Sequence, residues 1–333
     1  MPETSEIVAV IGLGTMGHGI AQTFALAGYT VHCFDMVVEA SAQLHARVRQ
    51  NLEAWVAAGV LTGDQLETAL GRLLRFDDLS TAVRDAAFVT EAIKEDLPTK
   101  QRLFAELDRC TAPTTILASN SSAFPISQSA VDLRHPERSL VTHWFNPPHL
   151  VPLVEIVPGP GTSTETVEKT VNLIRGIGKL PLRLRKEIPG FLVNRVQVAI
   201  QREVWNLLEQ GVASAEEIDA ALSASVGLRM AIQGPLEVHD FGGLDIQAAT
   251  FGNLIPEISS DLLLPAVVRR LIEQADYGVK TGQGFHDYSA GRAAARQQRR
   301  DRLLLAIQQL LNSDARIEHV SSDRSSPGEQ GVS

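Results

Sequence analysis

His143 and Glu155 are the residues whose types and spacing point most directly to chemistry. In the stretch HWFNPPHLVPLVEIV, one short apolar run ends on His143, and another, Leu150 to Val154, leads into Glu155. A charged group closing an apolar strand is costly unless it has a partner. The turn Asn146-Pro147-Pro148 between the runs would bring the two together. Imidazole is the side chain that titrates nearest neutrality, so it suits a general base for a hydroxyl proton. A carboxylate on its second ring nitrogen fixes the tautomer and steadies the imidazolium formed during reaction. Spacing alone equally admits a strand-end His143 that caps a loop and a Glu155 that faces solvent.

A second chemical signal lies at the other end of the chain. VAVIGLGTMGHGIAQTFALAGYTVHCFD sets Gly12, Gly14 and Gly17 between an apolar strand and a helix, with Leu13, Thr15 and Met16 completing the loop. In that context Gly12 permits the tight turn, Gly14 lets a pyrophosphate approach the backbone, and Gly17 allows close helix–strand packing. The helix N-terminus offers N–H groups to phosphate. Asp35, at the end of the next strand, suits the adenosine ribose hydroxyls and repels a 2′-phosphate, and Met36-Val37-Val38 supplies no Arg, so NAD is expected rather than NADP. FAD uses the same fingerprint, but only a nicotinamide also gives the His–Glu pair a task.

These residues need a scaffold. Ile7–Ile11 and Thr30–Phe34 read as strands around a helix from His18 to Ala27. A long helical region follows from Glu39 to about Leu74, interrupted near Gly59 and Gly63. Further strands are expected at 88–90, 115–117 and 140–141, with a helix from Thr99 to Arg109. Near-continuous apolar strands alternating with helices imply an α/β, Rossmann-type, doubly wound and mainly parallel sheet. After Ile188-Pro189-Gly190 the pattern turns helical, broken at Gly211, Gly227, Gly234-Pro235 and Gly242-Gly243. The expected domains are 1–187 for the nucleotide, 188–312 for an all-helical substrate and dimerisation domain, and 313–333 for a polar, disordered tail.

Composition narrows the class. The chain has 333 residues, 44% hydrophobic and 21% charged, with a formal net charge of −9 and no long basic run. Nucleic acid and anionic membrane surfaces are therefore not expected as partners. Cys33 and Cys110 form no CxxC pair and no metal spacing, so no metal site and no disulfide framework are expected. With an acidic N-terminus and no apolar run of membrane length, a cytoplasmic protein is expected. The arginines at 292, 296, 299, 300 and 302 read as a solvated helix face.

The blocks GLGTMGHGIA, TEAIKEDLPTKQRLFAELD, ASNSSAFPIS, HWFNPPHLVPLVEIV, PGFLVNR, GPLEVHDFGGLD and KTGQGFHDY, in order from Ile7 to about Tyr288, resemble the L-3-hydroxyacyl-CoA dehydrogenase family. Within it the wording is similar to a branch with L-gulonate 3-dehydrogenase (lambda-crystallin) and carnitine dehydrogenase, and to a pyridine-ring dehydrogenase. The resemblance implies NAD-dependent interconversion of a 3-hydroxyl and a ketone. It implies His143 as base, Glu155 as its orienting carboxylate, and Ser122 and Asn194 on the substrate oxygen. Glu95, Lys100 and Asn146 would line the cofactor site, together with Ser122. It further implies a cleft between the domains and a homodimer through the helical domain. His149 reads as a rim residue, and His239 as a possible cleft residue or a core histidine.

The substrate is less determined. Members acting on acyl-CoA carry lysines in the excursion after the second strand, where CoA phosphates dock. Here that excursion has only Arg47, Arg49, Arg72 and Arg75, and Pro152 stands where many members have Lys. A 3-hydroxyacyl-CoA is the first expectation, and a small 3-hydroxy acid (gulonate-, carnitine- or pyridine-carboxylate-like) the second. A free acid would need a cation, for which Arg195 and Arg229 are candidates. A third possibility is a crystallin-like protein that binds NAD without turnover.

Overall fold

The computed structural model describes residues 6–313. The chain divides after Arg195 into two compact units. The first contains β1 (Ile7–Ile11), α1 (Gly17–Leu26), β2 (Thr30–Phe34), α2 (Val38–Ala42), α3 (Leu44–Ala57), α4 (Gly63–Gly71), β3 (Leu73–Arg75) and α5 (Leu79–Val83). It continues with β4 (Phe88–Glu91), α6 (Leu97–Cys110), β5 (Ile116–Ser119), α7 (Ile126–Ser129), β6 (Ser139–Trp144), β7 (Leu153–Pro158), α8 (Thr164–Gly176) and β8 (Leu180–Arg183).

The eight strands form one sheet in the order β3-β2-β1-β4-β5-β6-β7-β8. Every neighbouring pair is parallel except β6 with β7. Successive residues of a strand face opposite sides, and both sides are covered here. Val8 and Val10 of β1 enter one core with Phe24, Phe88 and Trp144, while Ala9 and Ile11 enter the other with Val89, Phe104 and Phe191. The order reverses between β2 and β4 on either side of β1, which leaves the crevice for a ligand at the carboxyl ends of β1 and β4. Gly12 follows β1 and Glu95 follows β4, so the expected nucleotide residues reach that crevice.

Three local expectations need correction. The region from Glu39 to Leu74 is not one interrupted helix: it holds α2, α3, α4 and the edge strand β3. Gly59, at φ 70°, ends one helix, and Thr62 starts the next with a capping box, accepting from Gln65 N (3.2 Å) while Gln65 Oε1 accepts from Thr62 N (2.8 Å). The strand expected over 150–154 begins only at Leu153, because Leu150 N and Val151 N both donate to Pro147 O (3.0 and 2.9 Å) and wind that run into a turn. Glu155 therefore sits inside β7 rather than at its end. Strand β8 was not expected, its four residues being interrupted by Pro181.

The second unit takes over within α9 (Val193–Glu209) and contains α10 (Ala215–Leu222), α11 (Leu228–Met230), α12 (Pro235–Gly242), α13 (Leu244–Leu254), α14 (Ala266–Glu273) and α15 (Arg292–Ser313). Gly211, Gly234 and Gly243 separate helices as expected, but Gly227 lies in a continuous π-helical turn, 223–227, that leads into α11. The unit is not wholly helical, since isolated bridges join Gly278 to Gln283 and Gln283 to Asp287. The tail expected from Ser313 lies, beyond that residue, outside the described residues. Among the described residues no helix is long and apolar enough to cross a membrane, and no cluster of His, Cys, Asp and Glu is placed to hold a metal ion.

Candidate active site

The loop after β1 is built around missing side chains. A Cβ on Gly12 (φ 93°) would lie 2.7 Å from the Ala92 carbonyl, and one on Gly17 only 1.7 Å from Gly12 O. A Cβ on Gly14 would meet nothing within 4 Å, so the space above that residue is open to a ligand. Asp35 Oδ2 accepts from Leu13 N (2.6 Å) and Oδ1 from Val37 N (2.8 Å), so the acid braces the loop. Leu13 buries its side chain in the core and offers only backbone, Thr15 is exposed, and Met16 is half-buried at the start of α1. Two further groups shape the loop. His18 Nδ1 donates to Gly14 O (2.7 Å), and Arg47 Nη1 from α3 donates to Leu13 O (3.0 Å). Burial, with Arg47 nearby, holds the His18 imidazole below its ordinary range despite the bond to Gly14.

Beside this loop a polar network fills the ends of β4 and β5. Glu91, fully buried, accepts from Lys100 Nζ (2.7 Å) and Ile93 N (2.8 Å) on Oε1, and from Ser119 Oγ (2.7 Å) on Oε2. Glu91 and Ser119 are register partners on adjacent strands. Lys100 also reaches Glu95 Oε2 at 3.2 Å. Glu95 Oε1 in turn accepts from Ser121 Oγ (2.6 Å), Ser122 N (3.0 Å) and Ala123 N (3.1 Å). Burial pushes the Glu95 carboxyl up, but Ser121 and Lys100 outweigh it and hold the group below the usual carboxylate range. Lys100 is thus enclosed beneath Glu95, and only Glu95 of the pair meets solvent.

His143 and Glu155 are direct partners in the antiparallel register of β6 and β7. His143 Nδ1 donates to Glu155 Oε2 at 2.7 Å, with both side chains buried. That bond leaves Nε2 as the acceptor nitrogen. Glu155 Oε1 accepts from Leu192 N (3.1 Å) and Val193 N (2.9 Å) at the start of α9, where a carboxylate complements the helix dipole. The two N–H groups are aimed there because Gly190 (φ 75°) and Phe191 (φ 53°) are both left-handed. A bulky residue in that region is an outlier that the surroundings must hold. Phe191 is fully buried, and its ring centroid lies 5.4 Å from that of His143, with Phe145 at 4.5 Å on the same imidazole. Asn194 Nδ2 donates to Ser122 O (2.9 Å), joining the start of α9 to the strand-end loop.

With this geometry in place, the comparisons decide the family. The model of the 3-hydroxyacyl-CoA dehydrogenase NAD-binding domain matches residues 7–188, and that of the C-terminal domain matches residues 190–288. The chain belongs to the 3-hydroxyacyl-CoA dehydrogenase family. It is 35% identical to 5-formyl-3-hydroxy-2-methylpyridine 4-carboxylate 5-dehydrogenase of Mesorhizobium japonicum, over 91% of this chain and 97% of that protein. It is 38% identical to 3-hydroxyadipyl-CoA dehydrogenase of Escherichia coli, over 87% of this chain but only 60% of that longer protein. Among solved structures, a 5-formyl-3-hydroxy-2-methylpyridine 4-carboxylic acid 5-dehydrogenase, described as an NAD+-dependent dismutase, superposes with a TM-score of 0.86 at 32% identity, covering 93% of this chain and 99% of that one.

This chain is thus an NAD-dependent oxidoreductase, and its loop fits the cofactor, with open space at Gly14 and an acid at Asp35. Of the residues singled out from sequence, Ser122, Glu95, Lys100 and Asn194 join through hydrogen bonds, and His143 with Glu155 forms the second group. Asn146 is exposed in the turn that follows β6. Arg195 is exposed, with Nη1 3.4 Å from Pro189 O, and Arg229 is exposed on α11. His149 is not a rim residue: it is buried, packed near Gly19 of α1 and within 6.5 Å, ring to ring, of His18 and Trp55. His239 is exposed on α12. Sequence reasoning missed Glu91, whose only signal is an acid ending an apolar strand, and Asn120, whose Oδ1 accepts from Trp144 N (2.9 Å).

Proposed function

We propose that His143 is the general base of this dehydrogenase. Its Nε2 accepts the proton of a substrate hydroxyl as the carbinol carbon gives up hydride and the C–O bond becomes a carbonyl. NAD, when bound, supplies the hydride acceptor. Glu155 keeps the Nδ1 proton in place and balances the positive charge that the ring takes on. The Ser122 hydroxyl donates to the substrate oxygen, and Asn194, whose Nδ2 is tied to the Ser122 carbonyl, holds that loop and offers its second N–H to the same oxygen. Glu95 and Asn146 line the nicotinamide end of the cofactor, and Lys100 holds Glu95 in place. The observation that carries the reading is the buried 2.7 Å bond between His143 and Glu155. In a protein that only bound NAD the pair would transfer no proton and would serve packing alone.

On the substrate, the structure favours the second expectation, a small hydroxy or oxo acid, over a CoA thioester. Three of the four arginines in the excursion after β2 are already engaged. Arg47 is on Leu13 O, Arg49 on both oxygens of Glu67 (2.5 and 3.0 Å), and Arg72 on Ala25 O (3.4 Å). A CoA tail with several phosphate charges would have to compete with those bonds. The full-length match to a pyridine-carboxylate dehydrogenase supports the same choice, and Arg195 is the cation we assign to the substrate carboxylate. Arg229 is the alternative. The second unit buries few of its own apolar residues (Ile218, Val268 and Leu305) and exposes Phe241, Phe251 and Leu262, which supports a homodimer through that unit. We place the protein in the cytoplasm, where Cys33 and Cys110 remain reduced.

The test is NADH consumption with acetoacetyl-CoA, with free acetoacetate, and with an aldehyde of a pyridine carboxylate, alongside Arg195→Ala. Turnover of a free acid at least about tenfold better in kcat/KM, and weakened by Arg195→Ala, supports the small-acid reading. Efficient turnover of acetoacetyl-CoA alone restores the CoA reading.

A further inference from the structure

Lys179, between α8 and β8, is a charged residue with 7% of its surface exposed that the mechanism above does not use. Its Nζ donates to Pro148 O (2.6 Å) and Val151 O (2.9 Å), and it lies 5.8 Å above the Trp144 ring. Among the described residues no carboxylate pairs with it. Burial pushes its ammonium down to about 7. A neutral amine has two N–H donors, and two carbonyls receive them, so the contact survives loss of the charge.

Both carbonyls belong to the turn between β6 and β7. That turn packs on α1 so closely that a Cβ on Gly19 would lie 2.7 Å from Pro148 Cγ. It begins just after His143 and contains Asn146. An apolar residue at 179 would leave two inward carbonyls without donors, which a packing role alone would not require.

We infer that Lys179 is a positioning residue of the dehydrogenase: through the Pro148 and Val151 carbonyls it sets the turn that presents Asn146 to the cofactor. The inference rests on the reading of Asn146 given above.

The test compares Lys179→Met, Lys179→Ala and Asn146→Ala, with folding checked by thermal melting. NADH dissociation constants are read by fluorescence, and KM for the second substrate by steady-state kinetics. The expected result is about a tenfold weaker NADH affinity in each variant at unchanged KM for the other substrate. Lys179→Met combined with Asn146→Ala should be no worse than Asn146→Ala alone. Propylamine, but not propanol, should restore Lys179→Ala, and this arm decides the matter if Lys179→Met does not fold. Wild-type NADH affinity in the Lys179 variants, with Asn146→Ala still impaired, would overturn the positioning role and leave the Asn146 reading standing. Wild-type affinity in Asn146→Ala would overturn both. Indifference of Lys179→Ala to the amine would reduce Lys179 to packing.

Discussion

Glu155→Gln probes the dyad with the least change of shape. Both oxygens of Glu155 are committed, Oε2 to His143 Nδ1 and Oε1 to the N–H groups of Leu192 and Val193. An amide has one acceptor oxygen. If that oxygen stays with the two N–H groups, the NH2 faces Nδ1, and the ring must carry its proton on Nε2, the nitrogen needed as acceptor. If the amide flips, its NH2 meets two part-buried backbone donors, at about 1–3 kcal/mol for each group left unsatisfied. The first arrangement is therefore preferred by roughly 2 kcal/mol or more, and it is the unproductive one. Neutralising the carboxylate behind the histidine of a serine-protease triad costs about 10⁴ in kcat for the same reason. Here we expect kcat to fall by about 10³ to 10⁴, with the NADH dissociation constant within about twofold of wild type. NADH consumption gives the first quantity and fluorescence titration the second. A folded Glu155→Gln enzyme with kcat within about tenfold of wild type would refute the tautomer argument.

Gly17→Ala places a Cβ 1.7 Å from Gly12 O, so α1 must shift and NADH affinity should drop by about 100-fold or more in the same titration, while the rest of the sheet still melts cooperatively. Lys100→Met strands the buried Glu91 carboxylate, and urea unfolding should show a loss of about 3–5 kcal/mol, only part of it recovered by adding Glu91→Leu, which leaves Ile93 N and Ser119 Oγ without their acceptor. At Asp108, burial raises the carboxyl but hydrogen bonds from Arg138 (2.8 Å) and Arg134 (2.9 and 3.0 Å) outweigh it and hold the group down to about 2. A depressed folded value stabilises the protein above the unfolded value of about 4 and ceases to as pH falls through about 2. The Tm difference between wild type and Asp108→Asn should therefore shrink across that window, and a constant difference would be the contrary result.

What could be read from sequence was what local pattern encodes. The order strand, glycine loop, helix, strand and acid from Ile7 to Asp35 fixes a local unit, and the structure reproduces its boundaries to within a residue or two. The apolar runs of β1, β4 and β5 announced a sheet covered on both faces. The pairing of His143 with Glu155 was legible because two consecutive strands joined by a short connection lie side by side. The burial of Lys100 was not, since its partner Glu91 is held by Ser119, which reaches it only because β4 and β5 are neighbours in the sheet. Arg47 on Leu13 O and Lys179 on Pro148 O are likewise contacts made by the tertiary fold, with no periodicity to reveal them. Strand β3 is only three residues long, two of them exposed at the sheet edge, and β8 is interrupted by Pro181, so neither stands out from neighbouring helices and loops. The run Leu150 to Pro152 looked like a strand because it is apolar. The carbonyl of Pro147 took its N–H groups, and the strand began later.

The most direct test of the central claim is single-turnover NADH oxidation by wild type and His143→Ala, at saturating cofactor and with whichever keto substrate the panel selects. With His143 as the proton-transfer group, His143→Ala should bind NADH normally and oxidise it at least about 10³-fold more slowly. A variant that binds NADH and turns over at the wild-type rate would show that the proton is handled elsewhere and that the buried bond to Glu155 is structural.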